Sequence, residues 1–440
     1  MRTHWKKVIL SSVIGLMVLA AYAQNYTVNL STDKKDAIYK QSEKIIFSLQ
    51  LLEDGKPVTG KDVEYLLKTD GKADVKKVFK STENAFEIGS SLNKPGWTWL
   101  TATPLNNDGK PFKFKDSHGR ERIRDFSIGA MVDPLEIKPG MNEPTDFDGF
   151  WKKQRDELNA IPVKATKTSV EVSKAYQARF DCLEVKVDCL GEMPVSGYLS
   201  IPVNAKAGTL KAVVRYHGAG VRSANQAFYQ NAITLDVNAY GIKNGKPAKF
   251  YSDLAQNALR NYPHRDADNR DKFYFRDMFL RVMRALDYIK TRPEWNGKDL
   301  IVIGGSQGGA QALVAAALDK QVSLCIAGVP ALCDHGGIFA ERNSGWPRLI
   351  KLKDGKAENP KIVESCGYFD GVNFAKRISC ETYISTGFAD NTCAPTSVYA
   401  AFNSIPDGVK KAINTTPTAG HGAPNQKGDK RMKEVLSFKF

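Results

Sequence analysis

The chain has 440 residues, of which 42% are hydrophobic and 25% are charged, and its formal net charge is +15. This balance is that of a globular protein and excludes a collagenous or wholly disordered chain, and the length suggests two or three domains. The positive charge is scattered and no nucleic-acid-binding motif accompanies it, so we expect a solvated basic surface and no nucleic-acid partner.

The first 23 residues have the organisation of a secretory signal peptide. Arg2, Lys6 and Lys7 precede an apolar run over residues 8–20, and Ala-Tyr-Ala at 21–23 fits the small-residue rule for cleavage. An uncleaved anchor is the alternative, but the run is short for a span of ~20 residues. We expect a mature chain from about residue 24, without a membrane span, in the periplasm or outside the cell.

The cysteine pattern argues against metal or thioredoxin-type chemistry. Seven cysteines are present and no pair has C-x-x-C spacing, so we expect no metal site. In an exported protein some of them could pair. Cys182 and Cys189 could bridge neighbouring strands or remain two buried thiols.

Residues 24–135 predict a β-sandwich domain of immunoglobulin-like type. Ile45, Phe47, Leu49 and Leu51 alternate with other side chains, and Asp54-Gly55 then signals a hairpin. Similar short strands with turn signals continue to residue 128. Glycan binding by this domain is one interpretation, and a structural packing module is the simpler one.

Residues 136–440 predict an α/β domain. A Pro- and Gly-rich linker over 131–145 leads to a helix over 146–160, and β and α patterns then alternate. Alternation of this kind predicts a mainly parallel sheet covered by helices. The predicted strands cover 195–201, 211–216, 232–236, 300–303, 323–329 and 380–385.

A Gly-x-Ser-x-Gly sequence marks the candidate nucleophile. The apolar run 301–303 leads directly into Gly304-Gly305-Ser306-Gln307-Gly308, and a strong helix-forming segment follows over 310–318. Strand, sharp turn and helix would expose the Ser306 hydroxyl at the carboxyl end of the sheet.

A serine nucleophile needs a base, and the base needs an orienting acid. The order serine, acid, histidine of α/β-hydrolases favours His421 over His335, which leaves no room for an acid-bearing strand before it. Asp390 follows a predicted strand and is the preferred acid. Asp407 is the alternative, although Pro-Asp-Gly at 406–408 is typical of a plain turn.

Two backbone N–H groups are the candidate oxyanion donors. One belongs to Gln307, directly after the serine, and the other to Ala219 in the small-residue loop that follows the strand at 211–216. His217 in the same loop is expected to pack and form hydrogen bonds beneath it.

Together these motifs resemble the acetyl xylan esterase and cephalosporin C deacetylase family, carbohydrate esterase family seven, over residues 141–440. The shared motifs are DFDGFW (146–151), YHG (216–218), FYFR (273–276), GGSQGG (304–309), the acid segment 387–395 and YAAFN (399–403). The chain departs from the family pattern in having Ala219 in place of tyrosine, DVNAYG (236–241) near the place of Arg-Gly-Gln, His421-Gly422 in place of His-Glu, and an added N-terminal domain.

The resemblance implies an α/β-hydrolase with Ser306 as nucleophile, Asp390 as acid, His421 as base, and the N–H groups of Gln307 and Ala219 as oxyanion hole. It implies no metal and no organic cofactor. The expected activity is an exported serine carboxylesterase that removes acetyl groups from acetylated xylan or xylo-oligosaccharides. Alternatives are a bulkier sugar ester as substrate, or an inactive glycan-binding homologue, and the resemblance is compatible with a homo-oligomer.

Overall fold

The structure is a computed structural model that describes residues 26–115 and 119–436. The predicted signal peptide lies outside the described residues. Among the helices that are described, none is long and apolar enough to cross a membrane.

The described residues of the N-terminal part form strands and connecting loops, with a short 3-10 turn at the end. Its strands are β1 (Tyr26–Thr32), β2 (Ile38–Tyr39), β3 (Ile45–Glu53), β4 (Lys56–Pro57), β5 (Asp62–Thr69), β6 (Val75–Lys80), β7 (Phe86–Ser90), β8 (Gly96–Pro104), β9 (Lys113–Lys115), β10 (Glu121–Ile123) and β11 (Phe126–Val132).

Nine of these strands form two facing sheets, and β9 and β10 pair with each other in a separate two-stranded sheet. One contains β1, β3, β4 and β7, and the other has the order β2-β11-β8-β5-β6. Strand β1 contacts β11, and β3 contacts β8, across the space between the sheets. Alternate residues of β3 are buried in that space, as the pleat of a strand with one covered face requires. The predicted β-rich region is therefore confirmed.

The remainder of the chain alternates strands and helices. Its strands are β12 (Ala165–Ser169), β13 (Phe180–Val187), β14 (Val195–Pro202), β15 (Leu210–Tyr216), β16 (Ala232–Asn238), β17 (Trp295–Gly305), β18 (Leu324–Gly328), β19 (Leu352–Lys353), β20 (Lys356–Ala357), β21 (Glu381–Gly387) and β22 (Lys411–Thr416). Its helices are α1 (Phe147–Asn159), α2 (Ala248–Gln256), α3 (Tyr274–Lys290), α4 (Gln307–Leu318), α5 (Pro360–Cys366), α6 (Gly371–Ala375), α7 (Pro395–Ser404) and α8 (Gln426–Leu436).

Nine strands of this part share one sheet, in the order β12-β13-β14-β16-β15-β17-β18-β21-β22. The first three strands are antiparallel to their neighbours, and the pairs from β16 through β22 are parallel. Helix α3 is buried along most of its length against the sheet. The predicted sheet, mainly parallel and covered by helices, is confirmed, and its parallel strands bring their carboxyl ends to one edge.

All seven cysteines are free thiols. Cys182 is buried on β13, and Cys189 is partly buried beyond the end of that strand. No disulfide therefore joins Cys182 and Cys189. The free thiols fit a fold whose core is large enough to be stable without crosslinks.

Candidate active site

Ser306 occupies the turn between β17 and α4. Its φ of 57° and ψ of −124° place a non-glycine residue in a rarely populated backbone conformation. Backbone hydrogen bonds on both sides hold it there: its N–H donates to the carbonyl of Gly328 (2.8 Å), and the N–H of Ala331 donates to its carbonyl (3.0 Å). The neighbouring strand β18 and the loop after it thus fix the strained turn.

Two glycines allow the strand and the helix to approach each other at this turn. A Cβ at Gly304 would lie 2.0 Å from the carbonyl oxygen of Gly308, and a Cβ at Gly308 would lie 2.1 Å from that of Tyr216. Both distances are far below van der Waals contact, so any side chain would push the backbone segments apart. The Gly-x-Ser-x-Gly spacing therefore has a direct steric reason here.

The structure brings Ser306, His421 and Asp390 into one hydrogen-bonded chain. The Nε2 atom of His421 lies 2.8 Å from the Ser306 hydroxyl, and its Nδ1 atom lies 2.9 Å from a carboxylate oxygen of Asp390. The Asp390 side chain is fully buried, whereas the side chain of His421 is one-third exposed. With Nδ1 protonated, Nε2 is free to accept the serine proton, which is the arrangement that nucleophilic catalysis requires.

Asp390 lies in the loop after β21, and its second carboxylate oxygen is also bound. That oxygen accepts the backbone N–H groups of Thr392 (2.8 Å) and Cys393 (3.0 Å). These bonds fix the plane of the carboxylate toward His421. The loop that carries His421 is bonded to this one through the N–H of Ala389 and the carbonyl of Ala419 (3.0 Å).

The two alternatives from the sequence lie in other surroundings. His335 is completely buried in a short 3-10 helix, and its backbone N–H donates to Asp370 (2.7 Å). Asp407 has a fully exposed side chain near Lys411. Neither residue belongs to the hydrogen-bonded chain at Ser306.

The proposed oxyanion donors belong to two segments that lie next to the serine. Gln307 is the first residue of α4, so its N–H lies at the positive end of a twelve-residue helix. The loop with Ala219 approaches from β15, since a Cβ at Gly218 would lie 3.4 Å from the Cβ of Ser306. The N–H of Gly220 is already bound to the hydroxyl of Tyr240 (3.0 Å), which leaves Ala219 as the better candidate in this loop.

Two buried tyrosines, which sequence reasoning did not identify, connect the loop that contains Ala219 with the start of α4 at Gln307. We call these two segments the oxyanion loops, after the donors proposed in them. The Tyr240 hydroxyl accepts from Gly220 and donates to the Tyr262 hydroxyl (3.1 Å), which donates to the side chain of Gln307 (2.6 Å). Burial raises the pKa of both phenols, so they stay neutral and can donate. Tyr240 belongs to the segment 236–241, which stands near the place of the Arg-Gly-Gln motif of the resembled family. The departure from that motif was the one sequence signal that could have drawn attention to this tyrosine.

His217 supports the same loop from below, as expected. One ring nitrogen lies 2.7 Å from the Gly218 carbonyl, and the other accepts the N–H of Ala239 (3.2 Å). Burial lowers the pKa of His217 to about 4. The ring is therefore neutral at pH 7, and its role is to join the loop after β15 to the loop after β16.

One group of potential metal ligands occurs within the described ranges. Atoms of Asp390, Cys393 and His421 lie within 4.8 Å of one another. Asp390 and His421 are bonded to each other, and burial raises the pKa of the Cys393 thiol. A metal would need the thiolate and would compete with the acid–base pair.

The mainly parallel sheet and the Gly-x-Ser-x-Gly turn define an α/β-hydrolase. A sequence profile described as acetyl xylan esterase (AXE1) matches residues 131–437. The chain therefore belongs to the acetyl xylan esterase family and is a carboxylic ester hydrolase.

Relatives of known structure or function agree with this assignment. The chain is 30% identical over 421 residues to acetyl esterase Axe7A of Xylanibacter ruminicola, covering 92% of this chain and 90% of that protein. Acetyl xylan esterase 1 of Thermoanaerobacterium sp. JW/SL YS485 is 23% identical, with a TM-score of 0.57 over 70% of this chain and 98% of its own. The acetyl xylan esterase of Paenibacillus sp. R4 is 24% identical, with a TM-score of 0.55 over 69% and 98%. The two structures establish the fold.

Proposed function

We propose that this protein is an exported serine carboxylesterase that removes acetyl groups from acetylated xylan or xylo-oligosaccharides. The single observation that carries the mechanism is the continuous chain from Ser306 through His421 to Asp390, with hydrogen bonds of 2.8 and 2.9 Å. The acetylated-sugar substrate comes from the family and from the names of the relatives.

The geometry supports acyl transfer in two steps. The Ser306 hydroxyl attacks the acetyl carbonyl carbon while Nε2 of His421 takes its proton. The N–H groups of Gln307 and Ala219 stabilise the oxyanion of the tetrahedral intermediate. His421 then returns the proton to the sugar oxygen that leaves, and the deacetylated sugar departs from an acetyl-serine.

The second half of the reaction uses the same groups. A water molecule loses a proton to His421 and attacks the carbonyl carbon of the acetyl-serine. The second tetrahedral intermediate then collapses to acetate, and His421 returns the proton to the leaving serine oxygen, which restores the Ser306 hydroxyl. Asp390 orients the imidazole and stabilises its positive charge in both halves. No step requires a metal or an organic cofactor.

The proposal is tested with protein isolated after export, whose intact mass should lack residues 1–23. Acetate released from acetylated xylo-oligosaccharides is measured for the wild type and for Ser306→Ala. We expect steady release by the wild type and less than about 0.1% of that rate for the variant, since the nucleophile is lost. No release by the wild type, or equal release by both proteins, contradicts the proposal.

A bulkier sugar ester is the second candidate substrate, and one observation favours it. Ala219 is exposed, and it follows Gly218, which lies next to Ser306; the family resemblance leads one to expect a tyrosine side chain at this position. A smaller wall leaves more room for the acyl group. The same assay with esters of increasing acyl length separates the candidates, because a strict preference for acetate contradicts the bulkier substrate.

A further inference from the structure

We propose that the N-terminal β domain positions the acid and base of the active site, and that Trp97 is the main positioning residue. The inference rests on the roles proposed above for Asp390 and His421. Residues 26–130 lie outside the region that the family profile matches. Their contacts with the two catalytic loops are therefore an addition to the α/β-hydrolase itself.

Trp97 reaches from the β domain into the acid loop. It lies on β8 and is 2% exposed, and its indole N–H donates to the carbonyl of Phe388 (2.8 Å), two residues before Asp390. Within the β domain, the backbone of Trp97 makes two hydrogen bonds to Asp70. The Trp97 N–H donates to the Asp70 carboxylate (2.9 Å), and the Trp97 carbonyl accepts from the Asp70 backbone N–H (3.0 Å). The indole is thus held rigidly where it meets the loop.

Gly129 on β11 makes the second contact, at the base loop. Its N–H donates to the carbonyl of Pro417 (2.9 Å), four residues before His421. A Cβ at Gly129 would lie 1.8 Å from the carbonyl oxygen of Phe388 and 2.8 Å from the Trp97 indole nitrogen. Only glycine allows this strand to approach the loops so closely.

The two loops that the β domain contacts are themselves one unit. The N–H of Phe388 donates to Thr416 (3.0 Å), and the N–H of Ala389 donates to Ala419 (3.0 Å). A shift of Phe388 would therefore move Asp390 relative to His421. A displacement of catalytic groups by about 1 Å can lower the rate by up to ~10²-fold. We therefore expect the hydrogen bond from Trp97 to the Phe388 carbonyl to affect the rate.

The test variant is Trp97→Phe, which removes the indole N–H and keeps an aromatic ring. We expect kcat to fall by about ten- to a hundred-fold at an unchanged KM. Rates with p-nitrophenyl acetate are divided by the concentration of active sites, titrated with a fluorophosphonate, so that a loss of folded protein does not count. The loss should disappear in an Asp390→Ala background, because there the position of the carboxylate no longer matters.

Trp99→Phe is the matched control. Trp99 stacks on Trp97 with ring centroids 5.8 Å apart, and its indole nitrogen has no hydrogen-bond partner in the described part of the chain. It should retain the wild-type kcat. Equal rates for the two variants, or an equal loss from Trp97→Phe in the Asp390→Ala background, would overturn the inference.

A second variant keeps the test decisive if Trp97→Phe does not fold. Gly129→Ala retains the Trp97 side chain but places a methyl group against the Phe388 carbonyl and the indole nitrogen, which forces β11 and the acid loop apart. Its kcat per titrated site should also fall while KM stays constant. Wild-type kcat in folded Gly129→Ala overturns the inference. Ser306→Ala distinguishes failure of the proposed function from failure of this inference. If Ser306→Ala retains activity, the proposed serine esterase function is wrong. If Ser306→Ala is inactive, the rates of the Trp97 and Gly129 variants test only the role of the β domain.

Discussion

Ser306 is a residue whose backbone is strained and whose side chain is poised to react. A conformation of this kind costs of order 1–3 kcal/mol and persists only where the surroundings impose it. Gly328 and Ala331 impose it through hydrogen bonds, and Gly304 and Gly308 leave room for it. The result is a hydroxyl at the helix N-terminus, directed at His421, that the local sequence alone would not hold in place.

Asp390→Asn tests whether the carboxylate orients His421. The amide presents an N–H group or a weaker acceptor to Nδ1, so the imidazole is no longer held in the tautomer that leaves Nε2 free to accept the serine proton. We expect kcat for acetate release to fall by roughly 10⁴-fold with little change in folding. Asp407→Asn, at an exposed turn, is the control and should keep the wild-type rate. Similar losses in both variants would exclude Asp390 as the acid.

At the scale of elements, the site is a meeting of loops from the carboxyl ends of β15, β16, β17 and β21 with the loop after β22. Each strand ends at the same edge because the sheet is parallel there. Hydrogen bonds between the loops then set their relative positions. Tyr240 and Tyr262 connect the two oxyanion loops. His217 joins the loop after β15 to the loop after β16.

Tyr262→Phe breaks this connection at its bond to Gln307. We expect kcat to fall by about ten-fold at a nearly constant KM, because the oxyanion donor is displaced but retained, and deletion of such a donor costs ~10²–10³-fold. Tyr251→Phe is the control. The Tyr251 hydroxyl bonds the backbone of Lys243 and Lys246 and has no bond to Gln307 or Tyr240 in the described part of the chain. If the two variants have the same kcat, the tyrosine connection has no part in catalysis.

At the scale of the whole molecule, buried ionisable groups link stability to pH. Burial lowers the pKa of His335 to about 4, and its neighbour Asp370 has its pKa raised to about 6 by burial. The unfolded chain binds a proton at His335 between pH 6.5 and 4 whereas the folded protein does not, so this histidine makes the protein less stable as pH falls through that window. Asp370 acts in the opposite direction, because its folded form takes up a proton at higher pH than its unfolded form.

His335→Leu isolates the histidine contribution, because Asp370, Asp334 and Arg342 remain around it. Between pH 7.5 and 4.5 the wild type should lose about 2 kcal/mol more of its free energy of unfolding than the variant does. Urea unfolding at the two pH values measures this difference. His264→Leu, at an exposed histidine, should change the pH dependence much less. Identical pH dependence in the wild type and His335→Leu would contradict the buried neutral state.

The amino-acid sequence alone was enough to predict the α/β-hydrolase fold, the β-rich N-terminal part and the family. Alternation of strands and helices and the Gly-x-Ser-x-Gly spacing are local patterns, which can be recognised without knowledge of distant contacts. The same reasoning selected Ser306, Asp390 and His421, because their order along the chain reflects the order of strands in the sheet. The signal peptide stays a prediction, since it lies outside the described residues.

Only the tertiary structure decided what surrounds these three residues. Tyr262 and Gln307 are 45 positions apart in the chain, and Trp97 and Phe388 are 291 apart. Contacts at such separations leave no periodicity in the sequence, because each partner is also an ordinary core residue of its own element. The sequence therefore determined which residues are candidate reacting groups, whereas the packing of the β domain and of the buried tyrosines against the loops determined how those residues are held.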